Sequence, residues 1–313
     1  MGATLVTGGA GFVGANLVPL LLAGGTRVRV LDSLVTGDAA RLADEVELVE
    51  GDVRDPDALA RAMAGVDAVV HLAAAGSVAD SVADPLPNFE VNARGTLYTL
   101  QAAVQAGVER FVFASTGGAL IGDAEPPVDE SSVPRPISPY GASKLAGEGY
   151  CHAFRGSYGL NTLALRFANV YGPRSERKKG ALTAFVKLAL RGEPLEIFGD
   201  GAATRDFIYV DDLCAGIVAA HDRRDAAGVL HLASERETSI AELARLVLDA
   251  TGSDAPIEHR DRRRGEVERN FAIASRAGEV LDWRAAVGLE EGVARTVAWF
   301  RESRAWDVVQ PPA

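Results

Sequence analysis

Tyr140 and Lys144 stand four positions apart in the stretch Ser138-Pro139-Tyr140-Gly141-Ala142-Ser143-Lys144. On a helix that spacing puts a phenol and an ammonium on one face, where both can address one reactant. Ser138 is placed to cap such a helix and Pro139 to occupy its first turn. Tyr140 then sits at the N-terminal end, where helix amides favour negative charge. An unperturbed tyrosine titrates near about 10 and is a poor base at neutrality, but an ammonium and a helix N-terminus both stabilise its phenolate. The pair reads as acid/base machinery in which Lys144 supplies charge. The same spacing arises by chance in many chains of this length, so the neighbouring motifs decide.

Those motifs define the elements that must carry the pair. Residues 3–7 read as a buried strand, followed by Gly8-Gly9-Ala10-Gly11-Phe12-Val13-Gly14 and an apolar helix over 15–22. Gly8, Gly11 and Gly14 suit a tight turn, close approach of backbone to a pyrophosphate, and close packing of helix on strand. A second strand, 27–32, ends in Asp32 about 20 residues later, where an acid takes adenosine ribose hydroxyls. Asp32 would repel a 2′-phosphate and Ser33 brings no cation, so the cofactor expected is NAD rather than NADP. Strand 46–49 leads to Asp52 and Val53, with Asp52 placed to accept from the adenine amine. Strand 67–72 leads to Ala73 and Ala74, where small residues admit the cofactor backbone. A helix over 86–106 carries Asn92 as a brace, and His71 reads as a packed strand residue. Strand 110–114 ends in Ser115-Thr116-Gly117-Gly118, so hydroxyls from that edge can converge with Tyr140 and Lys144. Alternating strands and helices predict an α/β fold, a Rossmann-like doubly wound parallel sheet with ligands outside its carboxyl ends.

After strand 161–166 the pattern turns irregular, through Asn169 and Arg174 and the basic run Arg177-Lys178-Lys179. The expected organisation is an NAD-binding domain over residues 1–168, rejoined by about 206–233. A smaller mixed α/β substrate domain would take 169–205 and 234–313. Helices are expected over 182–191, 211–221, 239–250, 275–281 and 290–300, a return to the sheet at 229–232, and a frayed tail at 310–313. The chain of 313 residues is 48% hydrophobic, enough for a substantial core, and its net charge of −11 argues against a nucleic-acid surface. Cys151 and Cys214 match neither a disulfide framework nor a metal-ligand spacing; two buried thiols in a reducing compartment are expected. With no basic leader and no long apolar run, cytoplasmic location without membrane contact is the expectation.

Taken together, the chain resembles the extended short-chain dehydrogenase/reductases, specifically the NAD-dependent epimerase/dehydratase family. The resemblance rests on Thr7 to Gly14, Asp32, Asp52-Val53, His71 to Ala74, Asn92, Ser115-Thr116, Tyr140-Gly-Ala-Ser-Lys144, Arg166-Phe-Ala-Asn-Val-Tyr-Gly-Pro173 and Arg205-Asp-Phe-Ile-Tyr-Val210. Within the family, Ser-Thr-Gly-Gly followed by Pro-Ile-Ser-Pro-Tyr-Gly is most similar to UDP-glucose 4-epimerase-type members. The resemblance implies Tyr140 as acid/base on a sugar 4-hydroxyl, Thr116 as its hydrogen-bond partner, and Lys144 as a ribose ligand that lowers the tyrosine pKa. It implies Gly8, Gly11, Phe12, Val13, Gly14, Asp32, Asp52, Val53, Leu72, Ala73, Ala74, Tyr140 and Lys144 around NAD. Ser115, Thr116, Asn169, Arg174, Arg205, Arg263 and Glu266 would surround a UDP-sugar, with Arg205 and Arg263 on its diphosphate. No metal is implied, and a homodimer through the helices of Asn92 and Tyr140 is. Sugar dehydratases of the family carry an Asp-Glu pair after the threonine, and decarboxylases a glutamate; Gly117-Gly118 stand here. A cation of the 174–179 loop meeting a substrate carboxylate makes UDP-glucuronate 4-epimerisation the nearest rival. Other NDP-sugar oxidoreductases or dehydratases and a non-catalytic NAD-sensing protein stand behind it.

Overall fold

Parallel strands covered on both faces read as near-continuous apolar runs, and such runs supply most of the central sheet. In the computed structural model, which describes residues 2–307, the first half is β1 (Ala3–Thr7), α1 (Phe12–Ala23), β2 (Arg27–Asp32), β3 (Glu47–Glu50), α2 (Pro56–Met63), β4 (Val66–His71), α3 (Val78–Ala83), α4 (Pro85–Asn88), α5 (Gly95–Gln105), β5 (Arg110–Thr116), α6 (Gly118–Ile121) and α7 (Pro139–Tyr158). The second half is β6 (Asn161–Phe167), β7 (Asn169–Tyr171), α8 (Ala181–Arg191), β8 (Leu195–Phe198), β9 (Thr204–Arg205), β10 (Phe207–Tyr209), α9 (Val210–Asp222), β11 (Gly228–Leu232), β12 (Thr238–Ser239), α10 (Ile240–Thr251), β13 (Ile257–Arg260), α11 (Ser275–Leu281) and α12 (Leu289–Ser303). The expected frayed tail at 310–313 lies outside the described residues.

Seven parallel strands pair in the order β11-β6-β5-β4-β1-β2-β3, so the chain winds outward in both directions from β1 and β4. Alternation along the strands splits the core between two faces. Val6, Val30, Val70 and Val112 face Leu17 and Leu21 of α1 and Leu213 and Ile217 of α9. Leu5, Leu31, Val69 and Phe111 face Leu59 of α2, Leu100 of α5 and Phe154 of α7. Burying each such side chain is worth about 1.5–3 kcal/mol, which fixes the helices on the sheet. Beyond β6 only β11 returns to this sheet; the other strands pair apart from it, β7 with β10, β8 with β13, and β9 with β12. A separate apolar cluster from α8, α10 and α12, including Phe185, Leu243 and Phe300, packs there. Among the described residues no helix is long and apolar enough to cross a membrane.

The single helix expected over 86–106 is instead broken. α4 and α5 flank a π-helical turn, Phe89–Arg94, and the six-residue α3 precedes them. Asn92 lies in that turn and braces the site from behind: its Oδ1 accepts from Ala75 N at 2.7 Å, and its Nδ2 donates to Ser143 Oγ of α7 at 3.0 Å. His71 is packed as expected, between Thr7 Oγ1 at 2.7 Å and Thr96 Oγ1 at 3.0 Å. Burial pushes its pKa down to about 3, so it is a neutral connector.

Candidate active site

The start of α7 is held from several sides. Ser138 Oγ accepts from Gly141 N at 3.2 Å, with Pro139 in the first turn. Tyr140 N donates to Ser81 Oγ of α3 at 3.1 Å. A Cβ added to Gly141 would lie 2.0 Å from the Ala119 carbonyl oxygen of α6, so only glycine lets α7 and α6 meet this closely. These contacts set Tyr140 beside Thr116, whose hydroxyl offers the phenol a hydrogen bond that favours ionisation. Burial outweighs that bond and pushes the phenol up to about 12. Lys144 Nζ donates to the Ala114 carbonyl at 2.7 Å and lies 5.0 Å from the centre of the Phe113 ring. Burial lowers its pKa to about 8, so it remains mostly an ammonium at neutral pH. In the protein as it stands desolvation dominates the phenol, and the ammonium is bonded to the Ala114 carbonyl.

The glycine turn after β1 is built for close contact. Gly8 has φ +69°, and a Cβ there would come within 2.8 Å of Ala73 N; one on Gly14 would lie 2.4 Å from Gly9 Cα. Gly11 caps α1 without a side chain and the first turn holds no acid, which leaves those amides open to an anion. Phe12 and Val13 follow, half-buried in that first turn. Asp32, 8% exposed, accepts from Ala10 N at 3.0 Å and Leu34 N at 2.9 Å, so its carboxylate is fixed beside the turn. Leu72 N donates to the Thr7 carbonyl at 3.1 Å and Ala73 N to Thr7 Oγ1 at 3.2 Å, which brings Leu72, Ala73 and Ala74 to the same edge. The residues present fit a dinucleotide. Val53 is buried nearby, while Asp52 is engaged by Arg54, at 2.9 and 2.7 Å, which lowers its pKa. Gly14→Ala should push α1 off the turn; loss of bound NAD from purified protein, by absorbance and enzymatic assay, is the expected result, and full retention would contradict this account.

Two substrate expectations need correction. Ser115 is 3% exposed and donates to Glu148 Oε1 at 2.6 Å, so its hydroxyl faces a buried ion pair rather than the cleft. Arg174 grips the Ala15 carbonyl of α1 and so braces the cofactor side. Others do gather. Arg205 Nη2 stands 3.9 Å from Glu266, Arg263 Nη1 3.8 Å from the same carboxylate, and the Arg263 guanidinium lies 3.6 Å over the Phe198 ring. That cluster joins cations, a carboxylate and an aromatic face, which are groups suited to a nucleotide diphosphate and base. Asn169 opens β7, its N–H bonded to the Asp206 carbonyl at 2.8 Å.

The ion pair of Glu148 with Arg166 escaped the sequence reading. Glu148 pairs with Arg166 at 3.0 and 2.9 Å inside the fold. Tyr140, Lys144 and Glu148 share one helix stripe, and an arginine within the apolar run 163–167 demands a counter-charge; both signals were available. Lys178 donates to the Val170 carbonyl at 2.6 Å, and burial pushes it down to about 8. Its neighbours in the loop gave no sign of which cation would be enclosed. Cys151 and Cys214 are buried free thiols, and no metal-ligand cluster occurs among the described residues.

Comparison with known proteins agrees with this geometry. A family profile described as the NAD dependent epimerase/dehydratase family matches residues 4–232. The UDP-glucose 4-epimerase of Mycolicibacterium smegmatis is 39% identical over 308 residues, 95% of this chain and 98% of that protein. The crystal structure of UDP-glucose 4-epimerase from Thermotoga maritima with UDP-glucose superposes with a TM-score of 0.93 at 36% identity, covering 96% of this chain and 99% of the other. The UDP-glucose 4-epimerase of Thermus thermophilus, in complex with NAD, gives 0.91 at 36% identity, over 96% and 99%.

Proposed function

The chain belongs to the NAD-dependent epimerase/dehydratase family, and from that premise we propose that it is a nucleotide-sugar 4-epimerase, inverting C4 of a UDP-hexose of the UDP-glucose/UDP-galactose type. The observation that carries this choice is the pair after Thr116. Gly117 and Gly118 carry no carboxylate, so this pair supplies no acid for water elimination, and Gly118 packs closely on Asn270. What remains is one phenol with its Thr116 partner and Lys144. Tyr140 as phenolate takes the proton of the C4 hydroxyl, and as phenol it returns a proton to the same oxygen once the 4-keto sugar has turned. NAD, when bound, takes the hydride from C4 and gives it back, so the cycle has no net redox change. Arg205 and Arg263 would hold the diphosphate while the sugar swings, with Asn169 and Glu266 as further contacts.

A second reading, UDP-glucuronate 4-epimerisation, is favoured by Lys178. Arg174 is bonded to Ala15, and Lys179 to Asp80 at 2.8 Å. Lys178 shows no acidic partner among the described residues, which leaves it to meet a substrate carboxylate. The test is chromatography of UDP-glucose, UDP-galactose, UDP-GlcNAc and UDP-glucuronate after incubation with purified protein, with and without added NAD. A neutral 4-epimer formed at constant redox balance is expected, and four unchanged sugars would sink the assignment. Preferred turnover of UDP-glucuronate, lost in Lys178→Met, would select the second reading.

The proposal includes the division into an NAD-binding unit, residues 1–168 with 206–233, and a sugar-binding remainder. It also includes cytoplasmic location and a homodimer. Leu86 and Phe89, 70% and 55% exposed, and Tyr158, 61% exposed, lie on the α4, π and α7 segments that would form such an interface.

A further inference from the structure

The first part of the loop expected to line the sugar, residues 173–177, crosses to the cofactor side. Residues 33–41 leave β2 at Asp32 and fold back over its carboxylate. A Cβ on Gly37 would lie 2.6 Å from Asp32 Oδ1, and Asp38 N donates to the Ala10 carbonyl of the glycine turn at 3.0 Å. In a strand, glycine turn and helix of this kind the adenosine ribose lies at that acid. Residues 173–179, beyond β7, hold this loop from outside. Glu176 pairs with Arg41, both side chains 11% exposed. Arg177 Nη1 donates to the Thr36 and Gly37 carbonyls at 3.2 and 2.9 Å, and Nη2 stands 3.6 Å from Asp38. The same segment is anchored on α1, where Asn16 Nδ2 donates to the Pro173 carbonyl at 3.2 Å and Arg174 reaches Ala15. Lys179 ties it to Asp80 of α3.

We propose that residues 173–177 form a strap that retains NAD, with Glu176 and Arg177 as its positioning residues. One segment joins the first turns of α1 to the adenosine loop, so that loop cannot swing outward without breaking both attachments. The enclosed Arg41–Glu176 pair contributes more than the half-exposed Arg177–Asp38 pair, which water and salt screen. Slow exchange suits a catalyst that regains its oxidised cofactor in every cycle. The inference rests on the family's NAD and not on which sugar is turned over.

The test reads cofactor exchange without any sugar. Protein loaded with radiolabelled NAD is mixed with excess unlabelled NAD, and label retained on the protein is followed by rapid filtration. Glu176→Gln and Arg177→Ala together should speed exchange tenfold or more while the melting temperature of the cofactor-free chain holds. Exchanging the charges, Arg41→Glu with Glu176→Arg, should restore slow release. Exchange in the double variant within twofold of wild type would overturn the strap, as would charge exchange that restores nothing. Should the double variant not fold, Arg177→Ala alone decides, since its side chain is 37% exposed: faster exchange supports the strap and an unchanged rate overturns it. Failure of every sugar assignment leaves this result standing.

Discussion

Tyr140→Phe is expected to lower kcat by about 10²–10⁴-fold, the range a positioned acid/base group contributes, while NAD remains bound and the fold intact. The reason lies in what phenylalanine keeps. The backbone N–H of residue 140 still bonds Ser81, the ring still fills its place at the start of α7, and Lys144 still bonds Ala114. Only the hydroxyl beside Thr116 is lost. The pH profile follows from two opposed displacements. With the phenol pushed up to about 12, its ionised fraction rises tenfold per unit across the neutral range. With the lysine pushed down to about 8, its ammonium disappears above that pH. Turnover should rise with pH toward about 8 and stop rising there, and Lys144→Met should be slower and lack that limit. Initial rates of 4-epimer formation between pH 6 and 9.5 check both. A phenylalanine variant retaining a tenth of wild-type kcat would remove Tyr140 from the chemistry.

What the sequence showed of this site follows from where the physical signal resides. β5 was legible because a strand covered on both faces reads as a near-continuous apolar run, and Phe111 to Ala114 form one. The start of α7 was legible because a capping serine and a first-turn proline act within one turn of chain. The π turn over Phe89–Arg94 was not, since its cause is tertiary: Asn92 must reach Ala75 and Ser143, on two other elements. α3 is six residues long, too short to display a period. Direction of side chains was the other hidden quantity. Ser115 and Thr116 are adjacent polar residues, yet one faces Glu148 and the other Tyr140. Arg174 finds its partner 159 positions away, at Ala15. A long cation on an irregular loop carries no local sign of such a choice, and only packing decides it.

Glu148→Leu should cost about 3–5 kcal/mol of stability, because it strands a charge rather than merely deleting a contact. Arg166 sits in β6, its side chain 4% exposed, with the Glu148 carboxylate, 7% exposed, as its bonded anion. Arg166 Nη1 already lacks a partner, so the guanidinium depends on that carboxylate. Ser115 Oγ would lose its acceptor as well. The double replacement, Glu148→Leu with Arg166→Leu, removes the stranded charge and should recover most of the loss, since a well-packed apolar pair often matches a buried ion pair. Urea unfolding of the four proteins of this cycle measures the difference. A single variant within about 1 kcal/mol of wild type, or a double variant as unstable as the single, would show that water reaches Arg166 and the pair is not truly buried. Retention of an ionic link where an apolar one would serve needs a reason, and position supplies it. Glu148 lies one turn beyond Lys144, and Ser115 directly precedes Thr116, so the link fixes α7 against β5 and β6 at the height of the catalytic groups. The double variant should therefore show lower kcat with a denaturation midpoint close to that of wild type, which separates alignment of Tyr140 and Thr116 from stability.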